Sequence, residues 1–292
     1  MKALSLAMSI TLALPALSCA GDTTRPIDEH SLVLAYGVQS AFHCGVVLAS
    51  LTGESRQIEH SCGYAPAWSP DGAHLAFNIE GGEAAPPTLW TINADGSDES
   101  EVNGGRGLVG ADWSPDGSRL AAISLSAGTI VIMHPDGTAR SELAAAGFLS
   151  YDRLSWSPDG TEILFARLDT VWAVNASSGA TRVVAVPALE HMYGALWSPD
   201  GTRISITAHA LAGTGVYVMN ADGSHLQLVA QAFDVSAAPW SPDGSRLTYS
   251  ATNDGTTVDV FVVPSDGSAA PTNLTNNSRN RVSSGPAWAR AR

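Results

Sequence analysis

The pentapeptide Trp-Ser-Pro-Asp-Gly stands at 68–72, 113–117, 156–160, 197–201 and 240–244, and a shortened copy, GPAWAR, at 285–290. The motif tryptophans are 45, 43, 41, 43 and 48 residues apart. A repeat of this period means that each unit is one supersecondary element, which buries its faces only against its neighbours. Within the motif, proline presets φ for the second turn position, aspartate tolerates the third and glycine takes the positive φ of the fourth. That is a hairpin connection, a type I turn with a bulge. The tryptophan ends the strand before it and offers a large apolar surface for packing between sheets. Turn geometry accounts for the motif without chemistry, so no catalytic residue is expected among its aspartates.

Each motif leads into an alternating stretch: HLAFNI at 74–79, RLAAIS at 119–124, EILFAR at 162–167, RISITA at 203–208 and RLTYSA at 246–251. A second β-rich stretch follows, such as LWTIN at 89–93 or VYVMN at 216–220, then another turn, such as NADGS, and a third stretch such as HLQLVAQ at 225–231. With the segment ending in tryptophan, each unit holds four short strands. The fold class is all-β: a β-propeller of four-stranded antiparallel blades.

The two chain ends are complementary. Residues 31–61 carry LVLAY, GVVLASL and RQIEH but no first strand, whereas 283–290 carry a first strand and nothing after it. Pairing them completes one blade from both ends and removes the edges that a linear array would expose. Five internal units and this composite give six blades, closed by N- and C-terminal strands that share one blade.

The repeat PAWSPDGAHLAFN…LWTINADGS, over about residues 31–290, resembles the propeller repeats of the TolB family, a periplasmic component of the Tol–Pal envelope system. It is also similar to the WSPDG propellers of dipeptidyl-peptidase-like enzymes. TolB proteins carry an α/β domain ahead of the propeller, where this chain has about ten residues between its leader and first strand. The peptidases add a hydrolase domain with a G-x-S-x-G nucleophile motif, which does not occur in this sequence. The resemblance implies the fold and transfers no activity, because function lives in sites.

The leader MKALSLAMSITLALPALSC at 1–19 has one positive charge, a short apolar run and then small residues, the layout of an export signal. Its apolar run is shorter than the ~20 residues a membrane-spanning helix needs. PALSC resembles a bacterial lipobox, with Cys19 as the acylated residue and Ala16 where leucine is usual. Cleavage after Ala20 is the other outcome. Residues 20–30 form a polar tether and 31–292 the propeller. The expected location is the periplasm, an outer-membrane anchor or the cell surface, with membrane contact through the lipid alone.

Cys44 and Cys62 are equidistant from Gly53, in the turn TGES, and so are expected to face each other across a hairpin. In an oxidising compartment they read as a disulfide; thiols binding a metal with His43 and His60 are the alternative.

The formal charge of −13 excludes a broad basic face for nucleic acid. First-to-second and third-to-fourth strand turns share one face of a propeller, hereafter the turn face. It carries Asp71, Asp116, Asp159, Asp200 and Asp243, with Asp95, Asp136, Asp222 and Asp266. This ring is either a solvated acidic surface or a site for a cation or a basic partner. The opposite face carries loops of varied length and composition, as binding loops on a rigid scaffold do. His43, Arg106, Asp152, Glu190, His191, Tyr193 and His209 fall there and are the candidate partner- or ligand-binding residues. No resident metal or cofactor is expected.

Three functions fit these features. The first is a monomeric scaffold in the envelope that binds a protein partner. The second is a propeller enzyme, lyase or hydrolase. The third is a small-ligand or sugar sensor with its site at the channel mouth on the loop face. Without a nucleophile or paired-carboxylate motif, the scaffold is the leading expectation.

Overall fold

The computed structural model describes residues 34–39, 44–51, 54–58, 62–81, 85–143, 153–187, 189–210, 213–233, 235–252, 257–276 and 282–289. The leader with Cys19, the tether, His43 and Asp152 lie outside these residues. The described elements are all strands, β1 to β23 in chain order.

Blade 1 is β4 (Gly63–Trp68), β5 (His74–Ile79), β6 (Thr88–Asn93) and β7 (Ser100–Arg106). Blade 2 is β8 (Leu108–Trp113), β9 (Leu120–Ser124), β10 (Thr129–Met133) and β11 (Ser141–Leu143). Blade 3 is β12 (Ser155–Trp156), β13 (Glu162–Arg167), β14 (Thr170–Asn175) and β15 (Thr181–Ala185). Blade 4 is β16 (Glu190–Trp197), β17 (Arg203–Ala210), β18 (Gly213–Asn220) and β19 (Gln227–Gln231). Blade 5 has β20 (Arg246–Thr252), β21 (Val258–Pro264) and β22 (Thr272–Asn273), its first strand reduced to a bridge between Trp240 and Leu247.

Blade 6 is the composite expected from the sequence. The last strand, β23 (Val282–Trp288), pairs antiparallel with β1 (Leu34–Gln39), which pairs with β2 (Cys44–Ala49) and then β3 (Ser55–Gln57). The ring is six-bladed.

The core lies between blades. Side chains alternate across each strand, so one strand serves two interfaces. In β13, Ile163 and Phe165 pack toward blade 2, while Leu164 and Ala166 pack toward blade 4. An apolar cluster of this kind fills every junction around the ring.

The tryptophans fasten the inner strands. Trp113 Nε1 donates to the Ala67 carbonyl (3.1 Å), Trp156 Nε1 to Asp112 O (3.3 Å) and Trp240 Nε1 to Leu196 O (3.2 Å). Each acceptor immediately precedes the motif tryptophan of the previous blade. The indole N–H groups of Trp68, Trp197 and Trp288 are buried and meet no acceptor among the described residues.

The aspartate of the motif does more than favour a turn. In the first copy Ser69 Oγ donates to Asp71 Oδ1 (2.5 Å), which also accepts from Ala73 N (2.9 Å), while His74 N donates to Ser69 Oγ (2.9 Å). The relay recurs through Ser114–Asp116, Ser157–Asp159, Ser198–Asp200 and Ser241–Asp243. It ties the turn to the start of the second strand. Gly72, at φ 67°, takes the left-handed position in that turn.

The Cys44–Cys62 disulfide is formed, with Cα atoms 4.4 Å apart. Its placement differs from a bond directly across a hairpin. The β2–β3 register pairs Val47 with Gln57 and Ala49 with Ser55, two residues away from the register that would pair Cys44 with Cys62. Cys62, at φ 64°, directly precedes β4. The bond therefore staples the outer part of blade 6 to the start of blade 1.

Candidate functional site

Four of the proposed binding residues meet on blade 4. Glu190 pairs with His209, Met192 with Ala208 and Gly194 with Thr207, so the register of β16 shifts twice within five residues. The two shifts fall at His191 and Tyr193. Such bulges re-aim side chains and increase local twist. Here they leave Glu190 and His191 exposed while Met192 is buried. His191 has φ 44°, a left-handed conformation that costs energy for a residue with a β-carbon. Tyr193 packs edge-on against the His209 ring, centroids 5.2 Å apart, and His209 Nδ1 bonds Thr214 Oγ1 at 2.5 Å. His209 is thus held as part of a packed pair.

The neighbouring loops add apolar groups that periodicity does not flag. Leu168, in the β13–β14 turn, is 71% exposed at φ 55°, and its carbonyl accepts from Met192 N at 3.1 Å. Val186 is 67% exposed, and the pairing of Val171 with Ala185 sets it close to that turn. Phe233, 69% exposed, follows β19 and bridges to Thr252 of blade 5. Three large apolar side chains thus stand in solvent on the loop face of blades 3 to 5, and Leu168 is joined to β16 through Met192.

Arg106 does not join this group. It ends β7 and pairs with Thr88 on blade 1, on the other side of the ring.

The central channel holds an element that reading the loops separately does not reveal. Arg153, just before β12, donates through Nη2 to the Pro66 carbonyl of blade 1 and to Gly285 O of blade 6 at 2.6 Å. Gly285, at φ 59°, also lets blade 6 pack closely on blade 1: a β-carbon there would lie 2.9 Å from the Ala65 Cα. This guanidinium lines a small pocket of about 120 Å³, walled also by Trp68, Trp113, Trp240, Trp288 and Asp112. Arg153 thus braces three blades across the middle of the ring.

On the turn face, the acidic ring consists of self-satisfied turns. Asp95, Asp136, Asp222 and Asp266 each accept the backbone amide two residues on, from Ser97, Thr138, Ser224 and Ser268. Hydroxyl and then amide donors hold their carboxyls below the usual range. Among the described residues, no group of three His, Cys, Asp or Glu is placed to hold a metal ion.

No protein-family profile matches the chain. A Tol-Pal system protein TolB from Anaeromyxobacter dehalogenans (strain 2CP-C) is 32% identical over 127 residues, covering 41% of this chain and 29% of that protein. The match spans under a third of that relative's length. The crystal structure of TolB from Acinetobacter baumannii superposes with a TM-score of 0.77 at 17% identity, over 90% of this chain and 67% of that one. A putative TolB from Agrobacterium tumefaciens gives 0.63 at 18% identity, over 88% and 99%. With the WSPDG repeat and the closed six-bladed ring, these likenesses make this chain a TolB-like β-propeller.

Proposed function

We propose that this propeller is an exported scaffold of the bacterial envelope that docks a protein partner through the loop face of blades 3 to 5. The observation that carries the reading is the doubly bulged β16, which presents Glu190 and His191 on the same face of the ring as the exposed Leu168, Val186 and Phe233. Exposed apolar groups mixed with polar ones are the composition of protein interfaces. Strained backbone at Leu168 and His191 is the kind of feature that persists where it serves a site. The names of the TolB relatives place those proteins in the Tol-Pal system, and that context supports an envelope partner for this chain. Export through the 1–19 leader, with acylation of Cys19, would bring the scaffold to a membrane surface.

Photo-crosslinking in the producing cell tests this reading. A benzophenone side chain at position 186 or 233 is expected to give a discrete adduct, and one at position 200 or 222 on the turn face is not. An adduct from positions 200 and 222 alone would overturn it. For the anchor, Cys19→Ser is expected to move the protein from the membrane fraction to the soluble one; unchanged fractionation would favour cleavage after Ala20.

A further inference from the structure

The residue six positions after each motif tryptophan opens the second strand of its blade or directly precedes it: His74, Arg119, Glu162, Arg203 and Arg246. At two junctions this residue is an arginine laid over the tryptophan of the next blade. Arg119 Cζ lies 4.7 Å from the Trp156 ring centroid, and Arg203 Cζ 4.6 Å from that of Trp240. Arg203 also donates through Nη2 to Gly244 O (2.8 Å) and through Nη1 to Ser265 Oγ (3.1 Å). Its guanidinium fills a socket made of the tryptophan, the motif turn and the outer turn of the following blade.

Between blades 1 and 2 the same position is His74. Its ring stacks on Trp113 at 6.4 Å and 24°, and its Nδ1 is bonded to Asn93 Oδ1 at 2.9 Å. An imidazole is shorter than an arginine side chain and presents no five-donor fork. The counterparts of Gly244 and Ser265 here are Gly117 and Pro135. Both line an open cleft of about 660 Å³, walled also by Trp113, Asp71, Asp116 and Asp136. Serine and threonine hydroxyls, then backbone amides, hold these three carboxyls below the usual carboxylate range. The cleft is thus an anionic socket with an aromatic wall, of the kind that the chain fills with its own arginine at sister junctions.

We propose that this cleft binds the arginine side chain of a basic peptide segment beside the His74–Trp113 stack, toward the motif turn that the longer Arg203 reaches at its own junction. A planar fork directed at carboxylates and a turn carbonyl favours guanidinium over the more strongly hydrated ammonium of lysine. The volume exceeds a single side chain and accommodates its flanking peptide. The site lies on the opposite face from the loop-face surface, and it stands or falls independently of that reading.

The test is a titration of the isotope-labelled exported chain with acetyl-Gly-Arg-Gly-amide, followed at the Gly117 amide and the Trp113 indole. Citrulline, which keeps the shape of arginine and loses its charge, replaces it in the control peptide. Saturable shifts in the millimolar range are expected with arginine, as for a ligand of about −4 kcal/mol, and at least tenfold weaker ones with citrulline. His74→Arg, the residue of the sister blades, should fill the socket and remove the response at least tenfold. Should that variant fail to fold, Asp136→Lys on its exposed turn should weaken binding several-fold. Equal binding of the two peptides, a response retained in the folded His74→Arg variant or in Asp136→Lys, or no saturation by about 10 mM would overturn the proposal.

Discussion

Leu34 stands directly opposite Trp288 in an antiparallel pair, so the first described strand and the last are neighbours in one sheet. Between them lie all five internal blades, so among the described residues the β1–β23 pairing is the strand pairing that joins the two chain ends and closes the ring. Deleting residues 282–292 removes β23 and with it Gly285, one of the two carbonyls that Arg153 holds. The truncated chain is expected to aggregate or to melt well below the full-length chain with a broader transition. Melting at the same temperature would show that closure contributes little.

The tryptophan clasp separates two substitutions that look alike in sequence. Trp156 is 5% exposed, its indole N–H is bonded to Asp112 O, and Arg119 covers its ring. Trp156→Ala should cost about 3–5 kcal/mol through the cavity it leaves. Trp156→Phe also removes the indole bond to the Asp112 carbonyl, whereas Trp197→Phe removes an indole N–H that has no described acceptor. Denaturant melts should therefore find Trp156→Phe the costlier of the two by about 1 kcal/mol. The reverse order would show that the clasp bond is not what holds the inner strands.

The motif aspartates predict an acid-dependent stability. Serine hydroxyls, then backbone amides, hold Asp116, Asp200 and Asp243 at about 2. A carboxyl lowered in the folded state contributes its stability above the unfolded value of about 3.9 and loses it as pH falls through the folded value. Melting temperature should thus decline from about pH 4 toward pH 2. A variant with all five motif aspartates changed to asparagine should start lower at neutral pH and decline less steeply. Parallel curves for the two proteins would contradict the relay.

The disulfide closes a separation of 18 residues. In the chain-entropy description a loop of that size is worth about 3 kcal/mol. Reduction should lower the midpoint of unfolding accordingly, and Cys44→Ser with Cys62→Ser should reproduce the shift without reductant. A reduced protein with an unchanged midpoint would mean that β23 alone secures blade 6.

Much of this architecture is legible in the sequence because turns and tryptophans recur with it. Blade number, strand order and the shared blade follow from counting Trp68, Trp113, Trp156, Trp197, Trp240 and Trp288. The cysteine pair is legible too, although the hairpin register is two residues away from the one that would pair Cys44 with Cys62. The roles of Asp71 and its counterparts are only half legible. Turn preference explains their presence, but the serine-to-aspartate bonds depend on the loop closing. Arg153 is not legible, since its acceptors Pro66 and Gly285 come near it only when the ring forms. Nor are the bulges at His191 and Tyr193, because alternation in EHMYGALW fits a regular strand equally well. The substitution of His74 for arginine is visible in the sequence once the second strands are aligned by their tryptophans. Its consequence, an open cleft, needs the socket around Arg203 as a reference.

The proposed partner site on the loop face of blades 3 to 5 centres on the bulged β16. With the partner identified from its crosslinked adduct, the decisive measurement is its affinity, by calorimetry, for two double variants. His191→Ala with Tyr193→Ala should weaken binding by more than about 1 kcal/mol, as residues at the centre of an interface do, while the melting temperature changes little. Asp200→Asn with Asp222→Asn, on the turn face, should leave the affinity unchanged. Loss of binding in the turn-face pair, with full affinity kept by the loop-face pair, would show that the partner docks on the opposite side of the ring.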